Sequence, residues 1–298
     1  MNSKRIISLL LCVLFASVAT INAATCCVWK VTNTKAPCYL VGTMHALTSG
    51  DYPLPAGYKQ ALNDSKRLLF ELQPGPESKF NRLFAQAEVY PNGDDIRRHV
   101  HPKTWEIIVV NFSKAGMFGT PGRIGSVAVP HGIQQLRPWA IARNFYGIRG
   151  YNDFRSQYGV DNYFAHEGKR TGKELGAVET DEEHVDVMRG MNDIESELIL
   201  LDAIAFRDKA KGDLNQTHAA WRRGDTAGLW ALHQRFRKLN PGADVRLLDQ
   251  RNVKWVPKIR AQFNSGVPTA IVVGANHMLG PNGLIALLER NGYHFNQL

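Results

Sequence analysis

Thr269-Ala270-Ile271-Val272-Val273-Gly274-Ala275-Asn276-His277 is the stretch on which the fold turns. Its unbroken run of small and β-branched apolar residues, stopped by a glycine, reads as a strand buried on both faces rather than one face of a surface hairpin. A helix follows over 282–290, with Pro281 at its start and Gly292 just past its end. The other end of the chain repeats the pattern in Tyr39-Leu40-Val41-Gly42-Thr43-Met44-His45. Two strands that each run into Gly-x-x-His predict an α/β sheet whose strand ends carry the chemistry.

Working outward, residues 28–43 read as a hairpin, with Val28-Trp29-Lys30-Val31 alternating and Asn33-Thr34-Lys35 turning. A short helix is expected after Pro55, then a buried strand over 67–72 that ends at Pro74-Gly75-Pro76. Residues 77–170 read mostly as helices, with 105–112 strongly apolar and 116–125 matching no pattern. A further strand is expected over 175–179. Thr180 and Glu183 then form a capping box, which predicts a helix running to about Lys209. More helix is expected over 221–238 and 247–263, and an edge strand over 293–295. The fold class is therefore mixed α+β, a central sheet with flanking helices and a large helical insertion, in a single domain over 25–298.

Glycine in Gly-x-x-His permits a sharp backbone exit, and the histidine then projects from the carboxyl edge of the sheet, where ligands of open α/β sheets bind. Glu71 interrupts an apolar strand, and a bare buried carboxylate there costs several kcal/mol, so a cation should meet it. Glu179 closes the next apolar strand in the same way, although its place before a helix also suits the helix dipole. His45, Glu71, Glu179 and His277 form a mixed nitrogen and oxygen set suited to manganese, cobalt, zinc or iron. A divalent ion so held activates water, and the carboxylate left off the metal serves as general base.

Lys4 and Arg5, the apolar run 6–18 and the small residues of Ala19-Thr20-Ile21-Asn22-Ala23-Ala24 predict a secretory signal peptide over 1–24. The expected location is periplasmic or secreted, with no membrane span in the mature chain. The net charge is +9, and +7 once Lys4 and Arg5 are removed. That balance allows envelope association, but the basic residues are scattered and form no nucleic-acid motif. An oxidising compartment predicts one disulfide between Cys38 and either Cys26 or Cys27.

Other candidates carry less. His99-Val100-His101 follows Arg97-Arg98 and reads as surface, and Met188, Met191 and Ile194 read as core. His166-Glu167 and Glu183-His184 have no histidine four residues on, so no zinc helix is formed.

The paired Gly-x-x-His with the Gly280-Pro281-Asn282-Gly283 continuation, Phe70-Glu71, the run 175–183 and Arg251-Asn252 together resemble the TraB/GumN family, related to the Tiki-type metalloproteases. The resemblance spans essentially the whole mature chain and implies a Tiki/erythromycin-esterase-like fold and divalent-metal-dependent peptide hydrolysis. It implies that His45, His277 and Glu71 form the core of the site and hold the metal, with Glu179, Arg251 and Asn252 beside them. Related folds include an esterase of macrolide antibiotics and a haem-binding protein. The alternatives are thus a non-enzymatic metal-, haem- or peptide-binding protein and a metal-free esterase-like hydrolase, and the expected substrate is a peptide or a small molecule.

Overall fold

The computed structural model describes residues 25–75, 79–114, 131–148, 153–206 and 209–298. The expected signal peptide, residues 1–24, and the stretch 116–125 lie outside the described residues. Six strands form one mixed sheet in the order β4-β3-β5-β2-β1-β6. They are β1 (Val28–Val31), β2 (Cys38–Thr43), β3 (Arg67–Phe70), β4 (Glu174–Ala177), β5 (Thr269–Gly274) and β6 (Phe295–Gln297).

The two repeated motifs lie side by side. β5 pairs in parallel with β2, from Cys38 opposite Thr269 to Thr43 opposite Gly274. It also pairs in parallel with β3, which pairs in parallel with β4. Every residue of β2 is buried, and β5 is buried up to Gly274, as continuous apolar runs with helices on both faces require. Because β4, β3, β5 and β2 all point the same way, the residues just past their ends gather along one edge. Beyond β2, β1 pairs antiparallel with it and β6 pairs antiparallel with β1, closing the far side.

The helices form two groups. Ala56–Asp64, Val160–Arg170 and Gln250–Asn264 pack on the sheet and contribute Tyr58, Phe164 and Trp255 to its core. Phe80–Glu88, Pro102–Lys114, Pro138–Ile148 and Asp193–Phe206 enclose a second apolar core around Trp139 and Ile108. Among the described residues no helix is long and apolar enough to cross a membrane.

Several expectations need correction. The helix expected from Thr180 to about Lys209 is two, Asp181–Arg189 and Asp193–Phe206, divided at Gly190. The helix expected over 221–238 is likewise divided, at Gly224, whose φ of +66° ends Ala210–Arg222 before Thr226–Leu239 begins. The helix after Pro281 starts only at Leu284. Ile194 is 70% exposed, so the stripe it shares with buried Met191 is not wholly core.

The expected disulfide is also absent: Cys26, Cys27 and Cys38 are free and buried. The hairpin register explains this. Cys38 sits opposite Val31, whereas the Cys27 carbonyl accepts from the Gly42 N–H at the other end of the ladder. Four residues of strand, about 13 Å, separate the two ends, and a disulfide needs Cα atoms within about 7 Å.

Candidate functional site

The edge formed by the parallel strands carries all four residues read from the strand ends. His45 follows β2, Glu71 follows β3, Glu179 follows β4 and His277 lies in the short turn after β5. Arg251 and Asn252, on the first turn of helix Gln250–Asn264, reach the same edge from above. His277, Arg251, Asn252 and Glu179 are buried, whereas His45 stands exposed at the mouth.

Each histidine has one ring nitrogen committed to an oxygen. His277 Nδ1 lies 2.7 Å from Asn252 Oδ1. An amide oxygen only accepts, so that nitrogen carries the proton and Nε2 keeps its lone pair. Asn252 is fixed in turn by donating to the carbonyls of His277 (3.2 Å) and Asn282 (2.9 Å). His45 Nδ1 lies 2.9 Å from Asp161 Oδ2, and the other oxygen of Asp161 accepts from the Thr43 hydroxyl at 2.9 Å. The Asp161 carboxylate pushes the His45 pKa up to about 9. Burial, reinforced by Arg251 and only partly opposed by Glu71, pushes His277 down to about 3, so His277 is neutral at ordinary pH.

Arg251 organises the carboxylates. Its Nη2 donates to Glu71 Oε2 at 2.6 Å and to Glu179 Oε1 at 2.5 Å, and Nε donates to Glu179 Oε2 at 3.2 Å. Its Nη1 lies 3.2 Å from His277 Nε2. Burial works to raise the Glu71 pKa, but Arg251, His45 and the Gly274 N–H hold it well below the usual carboxylate range. Arg251 is the permanent charge among these. Glu179 is held low against its own burial by His184 and Arg251.

Gly274 keeps the centre open. Its N–H donates to Glu71 Oε1 at 2.8 Å. A Cβ there would lie 3.3 Å from that oxygen, 3.4 Å from His45 Nε2 and 3.7 Å from His277 Cδ2. The uncommitted nitrogen of His45 and the Glu71 carboxylate thus face one small space across the glycine, with His277 Nε2 3.8 Å from Glu71 Oε1.

Three side chains that sequence reasoning did not place here complete the site. His184 Nδ1 lies 2.6 Å from Glu179 Oε1, and Phe80 packs edge-on against its ring. A capping box at Thr180 puts residue 184 in the first turn, facing back over the end of β4, so the signal was present. The relevant partner was Glu179 behind it rather than a histidine ahead. Trp255 donates Nε1–H to Glu179 Oε2 at 3.1 Å, with its ring 4.4 Å from His277 and 4.7 Å from the Arg251 guanidinium. Asp161 had no local signal, since it meets His45 only through the fold. His99 stays outside the site. It is not simply surface, however, because it is stacked on Tyr90 and bonded to Asp94 and Asp193.

Residues 27–297 match the model of the TraB/PrgY/gumN family, and the chain belongs to that family. No curated protein and no solved structure matches it.

Proposed function

We propose that the chain is an exported hydrolase of peptide substrates that works with a divalent metal ion held by His45, His277 and Glu71. One observation carries this reading: both imidazoles have Nδ1 tied to an oxygen and turn Nε2 toward Glu71 and the gap that Gly274 keeps open, where an ion would displace the proton of His45 and the Arg251 contact of His277. Oriented histidines of this kind, each backed by a carboxylate or amide, are the usual supporting arrangement of a metal site. The donor set fits manganese, cobalt, zinc or iron, and such an ion, when bound, supplies Lewis acidity toward a carbonyl and toward water.

The chain's own residues do the rest. Asn252 fixes the tautomer of His277, and Asp161 orients His45. Arg251, anchored by Glu179 and Trp255, presents a fixed positive charge beside Glu71, suited to an oxygen that gains negative charge. His184, oriented by Glu179, borders the same cavity as His45 and Glu71 and is placed to move a proton there. Export follows from the reading of residues 1–24.

A metal-free hydrolase is the second reading, favoured by a different observation. Among the described residues the group with metal-ligand spacing is Glu71, Glu179 and His184, and the Arg251 guanidinium already bonds both of its carboxylates and lies 3.2 Å from the His184 ring. Arg251 then supplies the positive charge, and the same protein works without an ion.

The test is hydrolysis of a fluorogenic peptide library by the protein from residue 25 onward, loaded with manganese, cobalt, zinc or iron, or treated with EDTA. Cleavage that EDTA abolishes and one of the ions restores supports the metal reading. Cleavage that persists in EDTA selects the metal-free one. Tight ligand retention with no cleavage under any ion selects a binding protein instead.

A further inference from the structure

Four cavities follow one another along the reacting edge, each sharing lining residues with the next. One of about 380 Å³ lies over Arg251 and His277, and it shares His45 and Glu71 with a second of about 510 Å³ walled by Phe70, Phe80 and His184. On the Arg251 side, the first shares Thr217, Leu229, Leu248 and Asn276 with a third of about 510 Å³, walled by Leu232 and Phe236. On the Phe80 side, the second shares Asn162 with a fourth of about 680 Å³, walled by Tyr52, Tyr158 and Tyr163. His45 and Glu71 therefore stand near the middle of a groove, not at the bottom of a closed pocket.

The walls are mostly apolar between the reacting edge and the tyrosine end, whereas Asp213, Arg235 and Asp244 charge the far end of the third cavity. Thr217 and Asn276 break the apolar lining and suit the amides of an extended main chain. The tyrosine end is the most distinctive. The Tyr52 ring lies 5.4 Å from Tyr163 at 58° and 6.5 Å from Tyr158 at 53°, and its hydroxyl donates to the Tyr158 carbonyl at 2.8 Å. Tilted, mutually braced rings of this kind offer both edges and faces to another aromatic ring.

We propose that the groove takes an extended polypeptide that passes through the site rather than ending in it, with an aromatic side chain seated among Tyr52, Tyr158 and Tyr163. Cleavage then falls inside a chain, and the tyrosine subsite sets a preference for an aromatic residue on one side of the cut. The cleavage rests on the hydrolase reading above; the binding does not.

Binding is read by fluorescence anisotropy in EDTA, with fluorescein-labelled alanine-serine peptides of ten residues carrying one phenylalanine, and with a four-residue counterpart. The proteins are wild type, Asn162→Trp, which fills the junction to the tyrosine subsite, and Asn162→Ala, which leaves it open. The expected result is at least tenfold tighter binding of the longer peptide, lost in Asn162→Trp and kept in Asn162→Ala. Equal affinity for both lengths, no binding of either, or an unchanged difference in Asn162→Trp overturns the proposal. A protein that shows the length dependence but cleaves under no ion leaves the groove standing and removes the hydrolase. Cleavage without length dependence removes the groove alone.

Discussion

Arg251 is the residue on which the site depends most. It is buried, and its guanidinium is the cation that Glu71 demanded when it appeared inside an apolar strand. Arg251→Ala leaves two largely buried carboxylates without their cation, and breaking such a pair from one side costs about 3–5 kcal/mol. Urea unfolding at pH 7 measures the loss, and Arg251→Met should be no better. The pH dependence has a definite sign. Glu179 is held below its unfolded value, so its contribution is present above the unfolded carboxylate pKa of about 4.3 and is lost as pH falls through the folded one. Wild type should therefore lose stability on acidification below about pH 5, and Arg251→Ala should show a shallower dependence in the same titration.

The thiols give an independent check at the same scale. Burial pushes Cys26 up to about 11 and, with Cys26 and Asp225 adding to it, Cys27 up to about 12; burial also raises Cys38. Reactivity follows the thiolate, so none should react quickly with iodoacetamide in the folded protein at pH 8, and all three should react in 6 M guanidinium. Mass spectrometry of the native protein should find no crosslink between Cys38 and either neighbour.

At the scale of elements, the two Gly-x-x-His turns look alike in sequence but use glycine differently. A Cβ on Gly42 would meet the Cys27 carbonyl at 3.1 Å and the Ala275 Cα at 3.2 Å, which are backbone atoms with little room to yield. A Cβ on Gly274 would meet the side chains of Glu71 and His45. Gly42→Ala should thus act on stability, costing about 1–3 kcal/mol as overpacking does. Gly274→Ala, at φ −51°, asks nothing strained of the backbone and should leave the melting temperature nearly unchanged while weakening metal binding. Equilibrium dialysis beside thermal melts separates the two effects.

The same scale shows what was legible beforehand. The buried strands, their glycine exits and the capping box at Thr180 were readable because each is a local pattern with a local cause. The place of Glu71 could be inferred because a carboxylate in an apolar strand has to be answered. Asp161 could not be found this way, since its bond to His45 spans 116 residues of chain and nothing near it signals a partner. The breaks at Gly190 and Gly224 are hard to read because one glycine costs a helix only about 1 kcal/mol and helix-forming residues stand on both sides of each. The disulfide failed for a related reason: compartment argues for pairing, but hairpin register decides which atoms can meet.

At the scale of the whole molecule, the parallel part of the sheet brings four strand ends to one edge, and helix Gln250–Asn264 lays Arg251, Asn252 and Trp255 over them. The second apolar core, around Trp139, shares no residue with the sheet core, although Phe80, packed against it, also touches His184. Substitutions within it, such as Ile108→Ala at about 2–5 kcal/mol, should lower stability without altering the affinity of the folded protein for metal, as isothermal titration well below the melting temperature can show.

The central claim is that one ion is shared by two histidines drawn from opposite ends of the chain. The most direct measurement is metal content, by inductively coupled plasma mass spectrometry, of the protein from residue 25 onward after loading with manganese, cobalt, zinc or iron and desalting. Wild type, His45→Ala and His277→Ala are compared, each first shown to be folded by circular dichroism. Near-stoichiometric metal in wild type that both variants lose is the predicted result. Equal metal in all three, or negligible metal throughout, contradicts the shared site and leaves Arg251 as the positive charge of a metal-free one.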